Sequence, residues 1–149
     1  LIEHIAKKKK PIIISTGMSE LKDVDLAIKI IRKYHNKYAI LKCTSNYPAR
    51  YIDLNLSSIP KLKTKYKCPV GFSDHTVDCV ASIVAVSLGA TIIEKHFKMD
   101  DDQKSVDNHF SMNISDYSKF KFDLENSKKS LGYIKKILEV PEEKIRRLG

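Results

Sequence analysis

His75 and His96 stand 21 residues apart, and each closes a short apolar run. Val70-Gly71-Phe72 leads into Ser73-Asp74-His75, and Thr91-Ile92-Ile93 leads into Glu94-Lys95-His96. Imidazole is a good ligand for zinc, manganese, cobalt or iron, and two protein ligands leave positions for water and substrate. The pair therefore has two readings, a divalent-metal site or two hydrogen-bonded structural histidines. Asp74 and Glu94 either orient the imidazoles or act as a helix cap and a buried, ion-paired carboxylate.

Hydroxyls recur at the ends of two earlier apolar runs. Pro11-Ile12-Ile13-Ile14 ends in Ser15-Thr16, and Tyr38 to Cys43 ends in Thr44-Ser45. With Ser73 and His75, then Glu94 and His96, four successive runs finish in polar groups. Hydroxyls and free amides at helix N-termini form an anion site suited to phosphate or carboxylate. Four unrelated helix caps are the alternative, because Ser and Thr favour such positions.

The elements that would position these groups follow from periodicity. Leu1 to Ala6 reads as the tail of a helix. Pro11 to Ile14 is a β-branched strand with proline at its first position, where a ladder tolerates it. Ser19 is the expected N-cap of a helix in which Leu21, Val24, Ala27, Ile28 and Ile31 share a face, up to Tyr34. Tyr38 to Cys43 is the second strand. A helical segment from about Leu54 to Tyr66 contains Pro60, which predicts a kink or two short pieces. Val70 to Phe72 and Thr91 to Ile93 are the third and fourth strands, flanking a helix from about Asp78 to Leu88 that Gly89 stops. Asp100 to Asn108 is too polar for core. A last helix is expected from Ser115 to Leu131, anchored by Tyr117, Phe120, Leu124 and Leu131, and the charged tail from Glu139 reads as a linker.

Strand and helix thus alternate four times, the pattern of a parallel α/β sheet. By count this is half of a (β/α)8 barrel, with a complete small open sheet as the competing arrangement. In either case chemistry belongs at the carboxyl ends of the strands. No glycine-rich nucleotide fingerprint follows any strand, which argues against a dinucleotide fold.

Composition narrows the class. A chain of 149 residues with 42% hydrophobic content can fill one domain core. Its net charge is +9, but only four of its 27 basic residues are arginine. Nucleic-acid sites favour arginine interleaved with aromatics, so the lysines read as a solvated surface and no nucleic-acid partner is expected. Cys43, Cys68 and Cys79 are odd in number and lack CxxC spacing, as expected of reduced thiols in a cytoplasmic protein. No apolar run approaches the ~20 residues that span a membrane, and no membrane partner is expected.

Five motifs carry a resemblance: Pro-Ile-Ile-Ile-Ser-Thr-Gly-Met at 11–18, Lys-Cys-Thr-Ser-Asn-Tyr-Pro at 42–48, Val-Gly-Phe-Ser-Asp-His at 70–75, Ile-Glu-Lys-His-Phe at 93–97 and Val-Asp-Asn-His-Phe-Ser-Met at 106–112. In this order and spacing they resemble the sialic acid synthase family, whose members make N-acetylneuraminic, legionaminic or pseudaminic acid. The resemblance implies a (β/α)8 TIM barrel followed by a small antifreeze-like domain. Residues 1–138 would be the second half of the barrel, four βα units, and 139–149 the start of the linker. It implies a transferase that condenses phosphoenolpyruvate with an N-acetylated amino sugar, giving a nine-carbon α-keto acid and phosphate. By this likeness His75 and His96 hold a divalent metal, manganese first, with magnesium or cobalt as alternatives. Ser15, Ser45 and Ser73 match positions that bind phosphoenolpyruvate, Asp107 matches an acidic position facing the acceptor sugar, and Tyr47 lies beside the site. The acid–base glutamate is expected before residue 1, so no catalytic residue is assigned within the chain. The parent is expected to be a homodimer, and the 149-residue chain alone to be inactive and poorly stable.

Ser105-Val106 stands where the familiar sialic acid synthases carry Gly-Pro before the aspartate. That loop resembles the pseudaminic and legionaminic type. Two further readings stay open: another phosphoenolpyruvate-dependent aldol synthase, and a metal or sugar-phosphate binding module without catalysis.

Overall fold

In a computed structural model, which describes residues 1–99, 105–132 and 139–146, the chain alternates strand and helix around one parallel sheet. Helix α1 (Ile2–Lys7) is followed by β1 (Ile12–Ser15), α2 (Leu21–Arg32), β2 (Tyr38–Cys43), α3 (Ser58–Tyr66), β3 (Val70–Asp74), α4 (Val80–Ser87) and β4 (Ile93–Lys95). The strands lie in chain order, β1-β2-β3-β4, and every neighbouring pair is parallel. This is a parallel half-barrel sheet. Among the described residues no strand pairs with the outer edge of β1 or β4. None of the described helices is long and apolar enough to cross a membrane.

Strand alternation separates two faces. Ile12 and Ile14 of β1, with Tyr38 and Ile40 of β2, pack on Val24, Ile28 and Ile31 of α2. Val70 and Phe72 of β3 pack on Ile59 of α3 and on Ala81 and Ala85 of α4. Along β2 and β3, Leu41, Cys43 and Ser73 alternate with these residues on the opposite, inner face and are buried. On β1 the inner-facing Ile13 is 60% exposed. Gly71 permits the close approach of β3 to β4: a Cβ there would fall 2.4 Å from the Ile92 carbonyl oxygen.

Several boundaries differ from expectation. Glu20, not Ser19, precedes the first turn of α2, and its amide donates to the Asp23 carboxylate at 2.9 Å. The Ser19 hydroxyl instead donates to the Gly17 carbonyl. Pro60 neither kinks nor divides α3, because it lies in the first turn, where an amide has no intrahelical acceptor. The residues before it form a separate 3₁₀ turn, Tyr51–Asp53. Helix α4 begins two residues after Asp78, whose carboxylate accepts from the Val80 amide. It ends as expected at Gly89, with φ of +95° and the Ala90 amide donating back to Ala85.

The fourth strand starts later than its apolar run. Ile93–Lys95 is the regular strand, so Glu94 and Lys95 are ladder residues rather than loop residues. A two-stranded parallel sheet, β5 (Phe97–Lys98) with β6 (Met112–Asn113), was not expected from the alternation pattern. The final barrel-side helix, α5 (Tyr117–Ser130), follows a 3₁₀ turn at Ile114–Asp116. Of its four expected anchors, Phe120 and Leu124 are half-buried, while Tyr117 and Leu131 are exposed. The segment read as a linker carries a short helix, α6 (Val140–Arg146). Residues 100–104 of the polar stretch lie outside the described residues.

Candidate active site

The register of β3 and β4 decides the site. Ser73 pairs with Glu94 and Asp74 with Lys95, so His75 and His96 leave the sheet in step, one residue beyond the last pair. Their ring centroids lie 5.3 Å apart, edge to face. The 21-residue separation in sequence thus becomes direct juxtaposition at the carboxyl rim.

The hydrogen bonds of His75 define its tautomer. Nδ1 lies 2.9 Å from the Thr44 carbonyl oxygen, which can only accept, so Nδ1 carries the proton, and in the neutral imidazole Nε2 keeps its lone pair. Nε2 lies 3.5 Å from the Ser73 hydroxyl. That hydroxyl donates its one proton to Glu94 Oε1 at 2.7 Å and has none left for the imidazole. A ring fixed through Nδ1 to a carbonyl with a bare Nε2 is the usual arrangement of a metal-ligating histidine. Glu94 therefore acts on His75 only through Ser73.

Asp74 touches neither imidazole. Its carboxylate is buried and accepts from the Thr76 amide (2.8 Å), the Thr76 hydroxyl (2.7 Å) and the Ser82 hydroxyl (2.6 Å). It also forms a buried ion pair with Lys95 at 3.3 Å. Of the roles open to it from sequence, Asp74 has that of the buried, ion-paired carboxylate, and it caps no helix, because its backbone partner, Thr76, lies ahead of α4.

An aromatic wall closes the rim. The Tyr47 ring lies 4.2 Å from His75 and 6.0 Å from His96, and is half-exposed. Phe110 is 1% exposed and stands 4.9 Å from His96 and 5.4 Å from Tyr47. Sequence reasoning gave Phe110 no role. The available signal was a single large aromatic ending a polar stretch, a residue with no solvent-side reason to be there. Packing Phe110 inward carries Asp107 to the site, where its Oδ2 lies 3.6 Å from His96 Nδ1.

The β1–β2 side is more open. Ser15 is exposed on the inner face at the end of β1. Ser45 lies in the loop after β2, its hydroxyl 4.0 Å from the Cys43 sulfur, which is itself 4.0 Å from His75 Nδ1. Gly17 is pressed against Ser45 so closely that a Cβ would meet its hydroxyl oxygen at 2.0 Å. Thr16 and Thr44 are engaged elsewhere, with Thr16 donating to the Leu41 carbonyl and Thr44 to the Asp53 carbonyl. The expected hydroxyl rim is thus reduced to Ser15, Ser45 and Ser73. On the helix side of β2, the Lys42 amine folds back onto the Cys43 carbonyl at 2.8 Å, and burial lowers its pKa.

Ser73, His75, His96, Tyr47 and Asp107 therefore form one cluster, with Ser45 connected to it through Cys43. Among the described residues no three His, Cys, Asp or Glu side chains converge as a closed metal cage. Two imidazoles with an adjacent carboxylate fit an open site, in which water or substrate supplies the remaining ligands. All three cysteines are free thiols.

Known proteins share this architecture. The chain is 38% identical over 136 residues to the N,N'-diacetyllegionaminic acid synthase of Legionella pneumophila, covering 88% of this chain and 38% of that protein. It is 38% identical over 132 residues to the pseudaminic acid synthase of Campylobacter jejuni, again covering 88% of this chain and 38% of its relative. Its structure superposes on the crystal structure of the N-acetylneuraminic acid (sialic acid) synthetase of Leptospira borgpetersenii, in complex with citrate, with a TM-score of 0.88 and 32% identity. That match covers 99% of this chain and 52% of the other. The chain spans well under half the length of these curated relatives. Residues 1–136 match the NeuB family over its sequence pattern, and the chain belongs to that family of sialic acid-type synthases.

Proposed function

We propose that these residues are the second four βα units of a (β/α)8 synthase that condenses phosphoenolpyruvate with an N-acetylated amino sugar. The observation that carries this reading is the pair of imidazoles held 5.3 Å apart at the carboxyl ends of adjacent parallel strands. Supporting it are the chain-ordered parallel strands with both outer edges unpaired among the described residues and the share of the solved sialic acid synthetase that the chain covers.

In this proposal His75 Nε2 and His96 hold a divalent ion, manganese first and magnesium or cobalt as alternatives. When bound, such an ion supplies Lewis-acid polarisation of the sugar aldehyde. Ser15 and Ser45 receive the anionic groups of phosphoenolpyruvate, and Ser73 joins them when its hydroxyl turns from Glu94 to the ligand. Tyr47 offers a half-exposed ring face to the acceptor sugar, and Asp107 a carboxylate to its hydroxyls. The methylene carbon of phosphoenolpyruvate forms the new bond to the aldehyde carbon. Water adds at C2, and phosphate leaves with its bridging oxygen. The acid–base glutamate and the remaining phosphoenolpyruvate contacts belong to the other half of the barrel. A cytoplasmic homodimer is the proposed form of the parent enzyme.

The test is phosphate release from phosphoenolpyruvate with manganese, measured on the full polypeptide carrying these residues. N-acetylmannosamine and the 2,4-diacetamido sugars of the legionaminic and pseudaminic routes are offered in turn. Release that requires one sugar, the metal and both histidines is expected, with His75→Ala and His96→Ala each reducing kcat by at least about 100-fold. Absence of release with every sugar, from folded and metal-loaded protein, would remove the synthase reading. Turnover by residues 1–149 alone would overturn the half-barrel part of it.

A further inference from the structure

We infer that the buried ion pair between Asp74 and Lys95 sets the spacing of the two imidazoles, which makes both residues positioning residues of the site. The inference rests on the reading of His75 and His96 as metal ligands and adds to it what fixes their separation.

Each charged residue directly precedes one histidine in the chain. Asp74 is the last residue of β3 and Lys95 the last of β4, and the two are register partners. Their side chains are 0% and 4% exposed, with the Lys95 amine 3.3 Å from Asp74 Oδ2. The same amine donates to the Thr76 carbonyl at 2.6 Å. Thr76 in turn donates both its amide and its hydroxyl to Asp74 Oδ1. Residues 74 and 76, on either side of His75, are thus both tied to the residue that precedes His96. The Ser82 hydroxyl, 2.6 Å from Asp74 Oδ2, anchors this brace to the first turn of α4.

Stability alone does not account for an ion pair here. Replacing a buried pair by well-packed apolar residues is often neutral or stabilising. What a fully bonded buried network provides is a single geometry, because any shift leaves a charge or a donor unpaired in a low-dielectric interior. Moving the backbone at His75 relative to that at His96 requires breaking the Lys95 bonds to Asp74 or to Thr76. Ser73 and Glu94, one residue earlier on each strand, bond across the inner face at 2.7 Å. The two imidazoles therefore emerge from strand ends linked on both faces of the sheet.

The experiment uses the full polypeptide carrying these residues, with Co2+ as the probe and two readouts. The first is Co2+ affinity and the visible absorption band of the bound ion. The second, taken without metal, is the nuclear Overhauser effect between the His75 and His96 ring protons in histidine-labelled protein. The paired variant Asp74→Asn/Lys95→Met removes both charges, leaving the amide oxygen to accept from Thr76 and the amide NH2 to donate to the Ser82 hydroxyl. It is expected to weaken Co2+ binding on the order of 10–100-fold, to shift the visible band and to lose the inter-ring effect. Lys95→Arg, which can still bond Asp74, is expected to keep the inter-ring effect and most of the affinity. A folded paired variant with unchanged affinity, band and inter-ring effect would overturn the inference. If the unaltered protein binds no Co2+ at these histidines, the metal reading fails by itself, and the metal-free ring contact still decides the role of the brace. Should the paired variant not fold, Lys95→Met alone removes the ion pair and the bond to the Thr76 carbonyl while leaving Asp74 its three donors. It is then expected to weaken the inter-ring effect, and an unchanged effect would count against the brace.

Discussion

The strand ends of β3–β4 and of β1–β2 carry similar polar residues and treat them differently. At β3–β4 the polar residues that precede the histidines are partnered within the fold: Asp74 has three donors and an ammonium, and Ser73 bonds Glu94. At β1–β2, Thr16 and Thr44 bond backbone carbonyls, whereas Ser15 is exposed on a strand whose inner-facing Ile13 is exposed as well. The comparison separates a preorganised half of the rim from one still open to an occupant. It also shows that a hydroxyl at a strand end says nothing of its use until its neighbour across the sheet is known. Buried polar groups must be bonded and exposed ones need not be.

The largest expected effect breaks this contrast at its closed side. Asp74→Ala strands the buried Lys95 amine and three former donors, and is expected to destabilise the fold by about 3–5 kcal/mol. Ser15→Ala, at the open side, is expected to change stability by no more than about 0.5 kcal/mol. Denaturant unfolding of both variants measures the difference, and equal losses would show that the two ends are not distinct. An intermediate effect is expected from Gly71→Ala, where β3 and β4 approach most closely. The added carbon meets the Ile92 carbonyl and the Leu41 side chain, and about 1–3 kcal/mol of overpacking is expected from the same measurement.

The smallest effect concerns pH. The Tyr51 phenol donates to the Asp78 carboxylate at 2.6 Å, and this bond, with burial and the charge of Asp78, raises its pKa to about 12. A folded pKa above the unfolded value of 10.0 means that the contribution is complete below pH 10 and is lost as pH rises toward 12. Thermal unfolding of the unaltered protein should therefore fall more between pH 10 and 12 than that of Tyr51→Phe. Identical pH profiles would mean that the bond does not hold the Tyr51 loop to the start of α4.

The alternation of strand and helix was legible because each element buries one face, and burial leaves a period of two or 3.6 in the residues themselves. Ile12-Ile13-Ile14 and the Val24, Ile28, Ile31 stripe needed no further information. Boundaries were less legible where polar residues continue an element. Glu94 and Lys95 read as loop because their partners, Ser73 and Asp74, lie on another strand. Glu20 displaced Ser19 as the residue before α2 through its reciprocal partner, Asp23. Phe110 left only the signal of one large aromatic ending a polar stretch, and the β5–β6 pair left none, because each strand is two residues long and its partner is distant in sequence.

The residues alone determined the four βα units, the histidines at two strand ends and the motif order that marks the family. These are local in the chain, or linear along it. Only the tertiary structure decided that His75 faces His96, that Asp74 serves Lys95 rather than an imidazole, and that Phe110 brings Asp107 to the site. Each of these is a contact between segments distant in sequence. Such contacts depend on strand register and close packing, which a one-residue slip would change without altering the hydrophobic content of any element.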